Sequence, residues 1–146
     1  MRNKEQQAYT SSIRRYGSIS TVDLLRTNSP AIRHKLLAHS KSKIGLSIIT
    51  LCELQYGIER HAVRQPHLRA RHEHLLSEMV APFDVFQLDD RVVDTYGKVR
   101  VAVARSPIGV LDTFVAAQAL SLGATLVTSN SKEFQRVPGL MVEDWR

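Results

Sequence analysis

Glu53, Asp112 and Asn130 are the residues of this chain best placed to do chemistry together. Glu53 lies about one turn beyond an apolar run that reads as a buried strand. Asp112 opens the most apolar helical stretch, and Asn130 follows a second short apolar strand. In an open parallel sheet the carboxyl ends of the strands gather along one edge, where ligands bind, so residues at such junctions can converge from distant parts of the sequence. Converging carboxylates repel one another unless a cation neutralises them. Mg²⁺ suits this set, with Mn²⁺ as its alternative, because hard cations take oxygen ligands and keep several waters. A cation held there activates water and stabilises charge developing on a phosphate under attack. Each residue also has a structural role open to it. Glu53 can reciprocate a cap made by Thr50, Asp112 can cap its own helix, and Asn130 can form a turn.

The elements that must position these groups follow from periodicity and punctuation. Ser29-Pro30 starts a short amphipathic helix over residues 31–39. Residues 44–49 (IGLSII) read as a buried strand, and Thr50 to Glu53 has the spacing of a capping box opening a helix to about Arg60. Pro66 begins a helix with Leu68, Leu75, Leu76 and Met79 on one face, Pro82 ends it, and residues 84–88 form a strand. Asp89 or Asp90 caps a helix carrying Val92, Val93, Tyr96, Val99 and Val103 at helical spacing. The loop of residues 106–109 leads to Asp112, whose helix runs through Leu122 and stops at Gly123. A strand at 124–128, a helical turn at 131–134 and a last strand at 141–142 complete the order. Helices alternating with short apolar strands predict an α/β fold with a mostly parallel sheet sandwiched between helices. No repeat or linker divides the chain, which gives an N-terminal tail over residues 1–16 and one domain over 17–146.

Composition narrows the setting. A chain of 146 residues is of single-domain size and buries roughly 68–70% of its unfolded surface without disulfides or structural zinc. Its lone Cys52 excludes an internal disulfide and fits a reducing cytoplasm. No apolar run approaches the ~18 residues of a membrane span, and residues 1–16 lack the apolar stretch of a secretory signal. A cytoplasmic protein with no membrane partner is expected. A net charge of +6 and a pI near 9.8 attract polyanions, which puts nucleic acid first among partner classes.

Lesser signals accompany these. Residues 60–74 hold four arginines and four histidines, either a surface for RNA phosphates or for the acidic patch of a protein partner, or a solvated helix face. His67, His72 and His74 match no zinc spacing. Cys52 is expected to pack rather than react, and Trp145 to tie down the C-terminus. Thr128 and Ser129 either hydrogen-bond a metal-bound water or simply end a strand.

Four segments, SIITLCELQYG (47–57), PIGVLDTFVAAQAL (107–120), LVTSNSKEF (126–134) and VPGLMVEDW (137–145), resemble successive blocks of the VapC toxins. These are PIN-domain ribonucleases of bacterial toxin–antitoxin pairs, and the resemblance runs from about Arg26 to the C-terminus. It implies a PIN-like three-layer α/β/α sandwich and Mg²⁺-dependent endonucleolytic cleavage of RNA, often tRNA. It further implies neutralisation by a VapB-type antitoxin, and a homodimer. Carried over, Glu53 and Asp112 are metal-binding and catalytic acids, and Asn130 stands where the family has Asp or Asn.

The family's first strand ends in a Leu-Asp-Thr-Asn-like motif whose aspartate binds metal. Here the corresponding positions read Gly17-Ser18-Ile19-Ser20, without an acid. The first strand is therefore either disrupted or intact but diverged. A frameshift upstream of about Val22 would explain the change; resequencing that finds no nearby frame encoding the motif would refute it. Asp23 is a poor substitute because it falls some residues late. Two further readings follow: a catalytically impaired PIN module that still binds its antitoxin, and a different metal-dependent phosphoesterase on a similar sheet.

Overall fold

The computed structural model describes residues 16–20, 30, 34, 35, 38 and 43–145. The tail over residues 1–15, Asp23 and most of the helix expected over 31–39 lie outside the described residues, although 34, 35 and 38 are helical. Five strands form one sheet: β1 (Tyr16–Ser20), β2 (Lys43–Ser47), β3 (Asp84–Phe86), β4 (Thr125–Val127) and β5 (Val142–Glu143). Their spatial order is β3-β2-β1-β4-β5, and every pairing is parallel. The helices are α1 (Ile48–Ala62), α2 (Arg69–Val80) after a 3₁₀ turn at Pro66–Leu68, α3 (Arg91–Ala102), α4 (Val110–Leu122) and α5 (Ser131–Phe134).

The first strand is formed, and it is central. Ser18, Ile19 and Ser20 pair with Ile44, Gly45 and Leu46 on one side and with Thr125, Leu126 and Val127 on the other. The disrupted alternative is thereby corrected: backbone donors and acceptors satisfy a ladder whatever side chains they carry. The pairing of β1 with β2 slips in register between Tyr16 and Ser18. Tyr16, expected in the tail, begins the strand.

Two core clusters lie on opposite faces of the sheet. Neighbouring residues of a strand point to opposite faces, so Leu126 joins the larger cluster while Val127 packs with Trp145 and Ile44 in the smaller one. Trp145 is buried as expected, and its indole Nε1 donates to Glu143 at 2.8 Å. The larger core is built on α4, where Val115, Ala116, Ala117, Ala119 and Leu122 are all buried. Its alanines let α3 pack closely, with Val92, Val99 and Val103 turned inward and the Tyr96 and Phe114 rings stacked at 4.3 Å. Val93 does not join them: it faces outward, about a third of a turn from the inward stripe.

One helix start differs from expectation, and another agrees with it. The strand β2 stops at Ser47, whose buried hydroxyl accepts the Ile49 N–H at 3.1 Å and caps α1. Thr50 is therefore buried within the helix, and the expected capping box of Thr50 with Glu53 is not the helix start. At α3 the Asp89 carboxylate accepts both the backbone N–H and the guanidinium of Arg91. The side-chain hydrogen bond from Arg91, with its charge, holds the Asp89 carboxyl below the ordinary carboxylate value against the opposing effect of burial.

Two outcomes are expected. A Cβ on Gly45 would overlap the Phe86 ring lying across it, so Gly45→Ala destabilises by about 1–3 kcal/mol in urea unfolding, and adding Phe86→Leu recovers part of the loss. Asp89 is depressed in the folded state, so its contribution is full above the unfolded value and lost as pH falls through the lower folded one. Thermal unfolding therefore separates wild type from Asp89→Asn at pH values well above 3.8, and the gap closes as the pH drops below that value.

Candidate metal centre

The strand order 3-2-1-4-5 reverses direction between β1 and β4, and in such sheets the ligand crevice lies at the carboxyl edge of that switch point. All three expected site residues hang from elements that meet this edge. The helix α4 leads through Gly123 into β4, so its N-terminus returns to the carboxyl end of β4 and carries Asp112 as its third residue. Asn130 follows β4 directly by three residues. Helix α1 leaves the carboxyl end of β2, bears Glu53 at its sixth residue and packs against α4. Glu53, Asp112 and Asn130 are each half-buried, as residues lining a crevice would be.

Local chemistry explains how each is held. Gly109 caps α4 in extended conformation, and its carbonyl accepts both the Thr113 N–H and the Thr113 hydroxyl at 2.8 Å. Thr113 is fully buried and Ile108 is in the core, so the loop before Asp112 is anchored on both sides. The Asp112 carboxylate folds back over Gly109, with Oδ2 3.2 Å from where a Cβ on that glycine would stand. An acid in the first turn also meets the positive end of the helix dipole. Beyond β4, the buried Thr128 hydroxyl accepts the Asn130 N–H at 3.0 Å, and the Asn130 carbonyl starts α5 by accepting from Glu133 and Phe134. Of the two roles foreseen for Thr128, this geometry favours ending the strand and aiming Asn130.

Of the structural explanations for these residues, the Thr50–Glu53 box loses force while the Asn130 turn is formed. Ser47 caps α1, so Glu53 is not there to close a box with Thr50. The Asn130 side chain makes no capping hydrogen bond to α5, although its backbone does form the turn. The residues that sequence reasoning passed over are supports: Gly109 and Thr113, and Gln118. Gln118 is buried and donates through Nε2 to the Phe86 and Gln87 carbonyls at 3.1 and 3.0 Å, fixing the end of β3 against α4. The glycine three residues before the acid was the available signal for Gly109. A buried glutamine in an apolar helix was the signal for Gln118. Cys52, expected to pack, is exposed on α1.

Two carboxylates and an amide oxygen form a hard donor set that suits Mg²⁺ or Mn²⁺ with several retained waters. It is lean in charge: among the described residues no three of His, Cys, Asp and Glu come together to hold a metal. The Arg60–His74 stretch covers the end of α1, the connecting turn and the start of α2. A groove of about 490 Å³ opens there, with Leu54, Ile58, Leu75, Leu76 and Met79 below Arg60, His61 and His72.

Residues 19–140 match the PIN domain family. The chain is also 33% identical over 120 residues to the tRNA(fMet)-specific endonuclease VapC of Shigella flexneri, covering 81% of this chain and 87% of that protein. This chain belongs to the VapC family of PIN-domain ribonucleases. Ribonuclease VapC2 of Rickettsia felis is 31% identical over 113 residues, covering 76% of this chain and 80% of that one. Among solved structures, VapBC2 of Rickettsia felis bound to a promoter DNA fragment superposes with a TM-score of 0.81 at 25% identity, over 88% of this chain and 98% of that chain. DNA-bound VapBC of Salmonella typhimurium gives 0.80 at 26% identity, over 90% and 99%. The VapC family thus accounts for the α/β/α architecture and for the enzyme class.

Thr113→Val keeps the backbone bond to Gly109 and removes the hydroxyl bond. We expect a loss of about 1 kcal/mol in urea unfolding, with faster amide exchange at residues 109–113 as the sign that the loop before Asp112 has loosened.

Proposed function

We propose that this VapC-family chain is a Mg²⁺-dependent endoribonuclease toxin acting on tRNA-type RNA in the cytoplasm, held by a VapB-type antitoxin and working as a homodimer. The observation that carries this reading is the meeting of α1, α4 and the end of β4 at the switch-point edge, with Glu53, Asp112 and Asn130 on them. Glu53 and Asp112 would hold the metal, with Asn130 completing the set. When bound, the cation supplies Lewis-acid stabilisation of charge on the phosphate under attack.

The protein's own groups contribute position and field. Asp112 is set by the Gly109 loop, Asn130 by the Thr128 hydroxyl, and a net charge of +6 draws RNA toward the crevice. The tRNA assignment draws support from the Shigella relative, which is named a tRNA(fMet)-specific endonuclease. The antitoxin assignment draws support from the VapBC complexes among the structural neighbours and from the α1–α2 groove, whose apolar lining and Arg60 suit an acidic amphipathic segment. No helix among the described residues is long and apolar enough to cross a membrane.

A specific observation favours a second reading, in which cleavage is impaired while antitoxin binding survives. The strand β1 is central and ends level with Leu46 and Val127, yet Gly17-Ser18-Ile19-Ser20 brings no anion to the carboxyl edge of the sheet. One anionic ligand fewer weakens the hold on Mg²⁺, which is demanding about its octahedral shell.

One assay separates the two: cleavage of bulk tRNA by the purified, antitoxin-free chain with and without Mg²⁺, beside Asp112→Asn, Ser18→Asp and Ser20→Asp. Metal-dependent cleavage that falls at least about 100-fold in Asp112→Asn supports the first reading. A folded but silent wild type that gains cleavage from either serine replacement supports the second. Silence in every folded variant overturns the nuclease assignment for this chain.

A further inference from the structure

Helix α1 carries an aromatic residue that the core does not use. Tyr56 is 61% exposed and joins neither hydrophobic cluster, whereas Thr50 and Leu54 of the same helix are buried. One turn further on, the Arg60 guanidinium lies over the Tyr56 ring, with its carbon 5.9 Å from the centroid. That is within reach of a cation–π attraction. Arg60 enters no ion pair among the described residues; the adjacent acid, Glu59, is bound instead by Arg69 at 2.6 Å.

Helical spacing ties this pair to the candidate centre. Residues three, four and seven apart share a helix face, so Glu53, Tyr56 and Arg60 lie in one stripe. Tyr56 stands about 4.5 Å further along the axis than Glu53, and Arg60 about 10.5 Å. The stripe runs from an acid to an exposed ring and then to a cation. An RNA strand offers partners in the same order: a phosphate at the metal, a planar base beside it and a further phosphate beyond. An acidic protein segment fits less well here. The α1–α2 groove that offers such a segment an apolar lining includes Leu54, Ile58 and Arg60, and Tyr56 does not line it.

We propose that Tyr56 is a base-stacking residue for the RNA substrate, on whose ring an unpaired base next to the scissile phosphate lies while Arg60 steadies the ring and meets the adjoining phosphate. The proposal rests on the nuclease reading above and adds to it a requirement for an unstacked base beside the cut. Every base has a π face, so stacking on an aromatic ring tolerates any of them. Tyr56 therefore selects single-stranded RNA rather than a sequence.

Equilibrium binding tests it. The full chain is titrated into a short single-stranded RNA carrying one fluorescent purine analogue, from low salt upward and in EDTA so that the strand stays intact. Wild type binds and quenches the analogue. Tyr56→Ala weakens binding about tenfold and removes most of the quenching, while Tyr56→Phe keeps both. Arg60→Gln lowers the slope of log affinity against log salt by about one, and Tyr56→Ala leaves that slope unchanged. All three variants keep the wild-type thermal stability, because both positions are exposed. RNA binding that Tyr56→Ala leaves unchanged overturns the stacking role while the nuclease reading stands. Equal weakening by Tyr56→Phe and Tyr56→Ala places the effect in the hydroxyl and overturns stacking too. A chain that binds no RNA even at low salt overturns both readings. Loss of VapB-type antitoxin binding in Tyr56→Ala, with RNA binding intact, gives the ring to the antitoxin and overturns the proposal.

Discussion

Everything in this molecule hangs on the backbone ladder of β1. It is the one strand with β2 on one side and β4 on the other, and it joins an N-terminal half of the sheet to a C-terminal half. Parallel strands buried under helices have no water to fall back on, so an unpaired central strand would leave donors and acceptors orphaned on both neighbours. The ladder tolerates great freedom in side chains because its bonds are made by the main chain. This is how the strand forms with Gly-Ser-Ile-Ser as its sequence.

Much of the architecture was legible in the residues. Short apolar strands alternating with helices led to a parallel sheet, and Gly123 stops α4 with the positive φ of 61° that glycine adopts without strain. The misplacements have physical causes. Ser47 and Thr50 are both competent caps, three residues apart, and β-branched Ile48 and Ile49 favoured strand; burial of Thr50 and the hydroxyl of Ser47 decided the start of α1. Val93 keeps helical spacing with the core valines but sits about a third of a turn away, and spacing alone does not tell a helix's flank from its inner face. Cys52 follows the same logic, because one residue's shift around a helix turns a packing position outward.

At the candidate centre, the placement of Glu53, Asp112 and Asn130 at strand and helix junctions was readable in the sequence. What was not readable is the apparatus around them. Thr113, Gly109 and Thr128 act through bonds between residues two to four positions apart, and these exist only once the loops have closed. Gln118 reaches across more than thirty positions to hold the end of β3, a contact that no local pattern encodes.

The division of the sheet at β1 has a consequence for how the centre is held together. Asp112 and Asn130 belong to one short contiguous stretch, α4 and β4 with their turns, whereas Glu53 comes from the other side of the seam on α1. The candidate centre is therefore a composite of two chain segments, aligned by the β1 ladder together with the packing of α1 on α4. Such a protein lends itself to being divided: a cut in the turn between α2 and β3 would leave one fragment bearing Glu53 and the other bearing Asp112 and Asn130. Neither fragment would carry the complete set, and their meeting across the β1 ladder would restore it, making the centre conditional on reassembly.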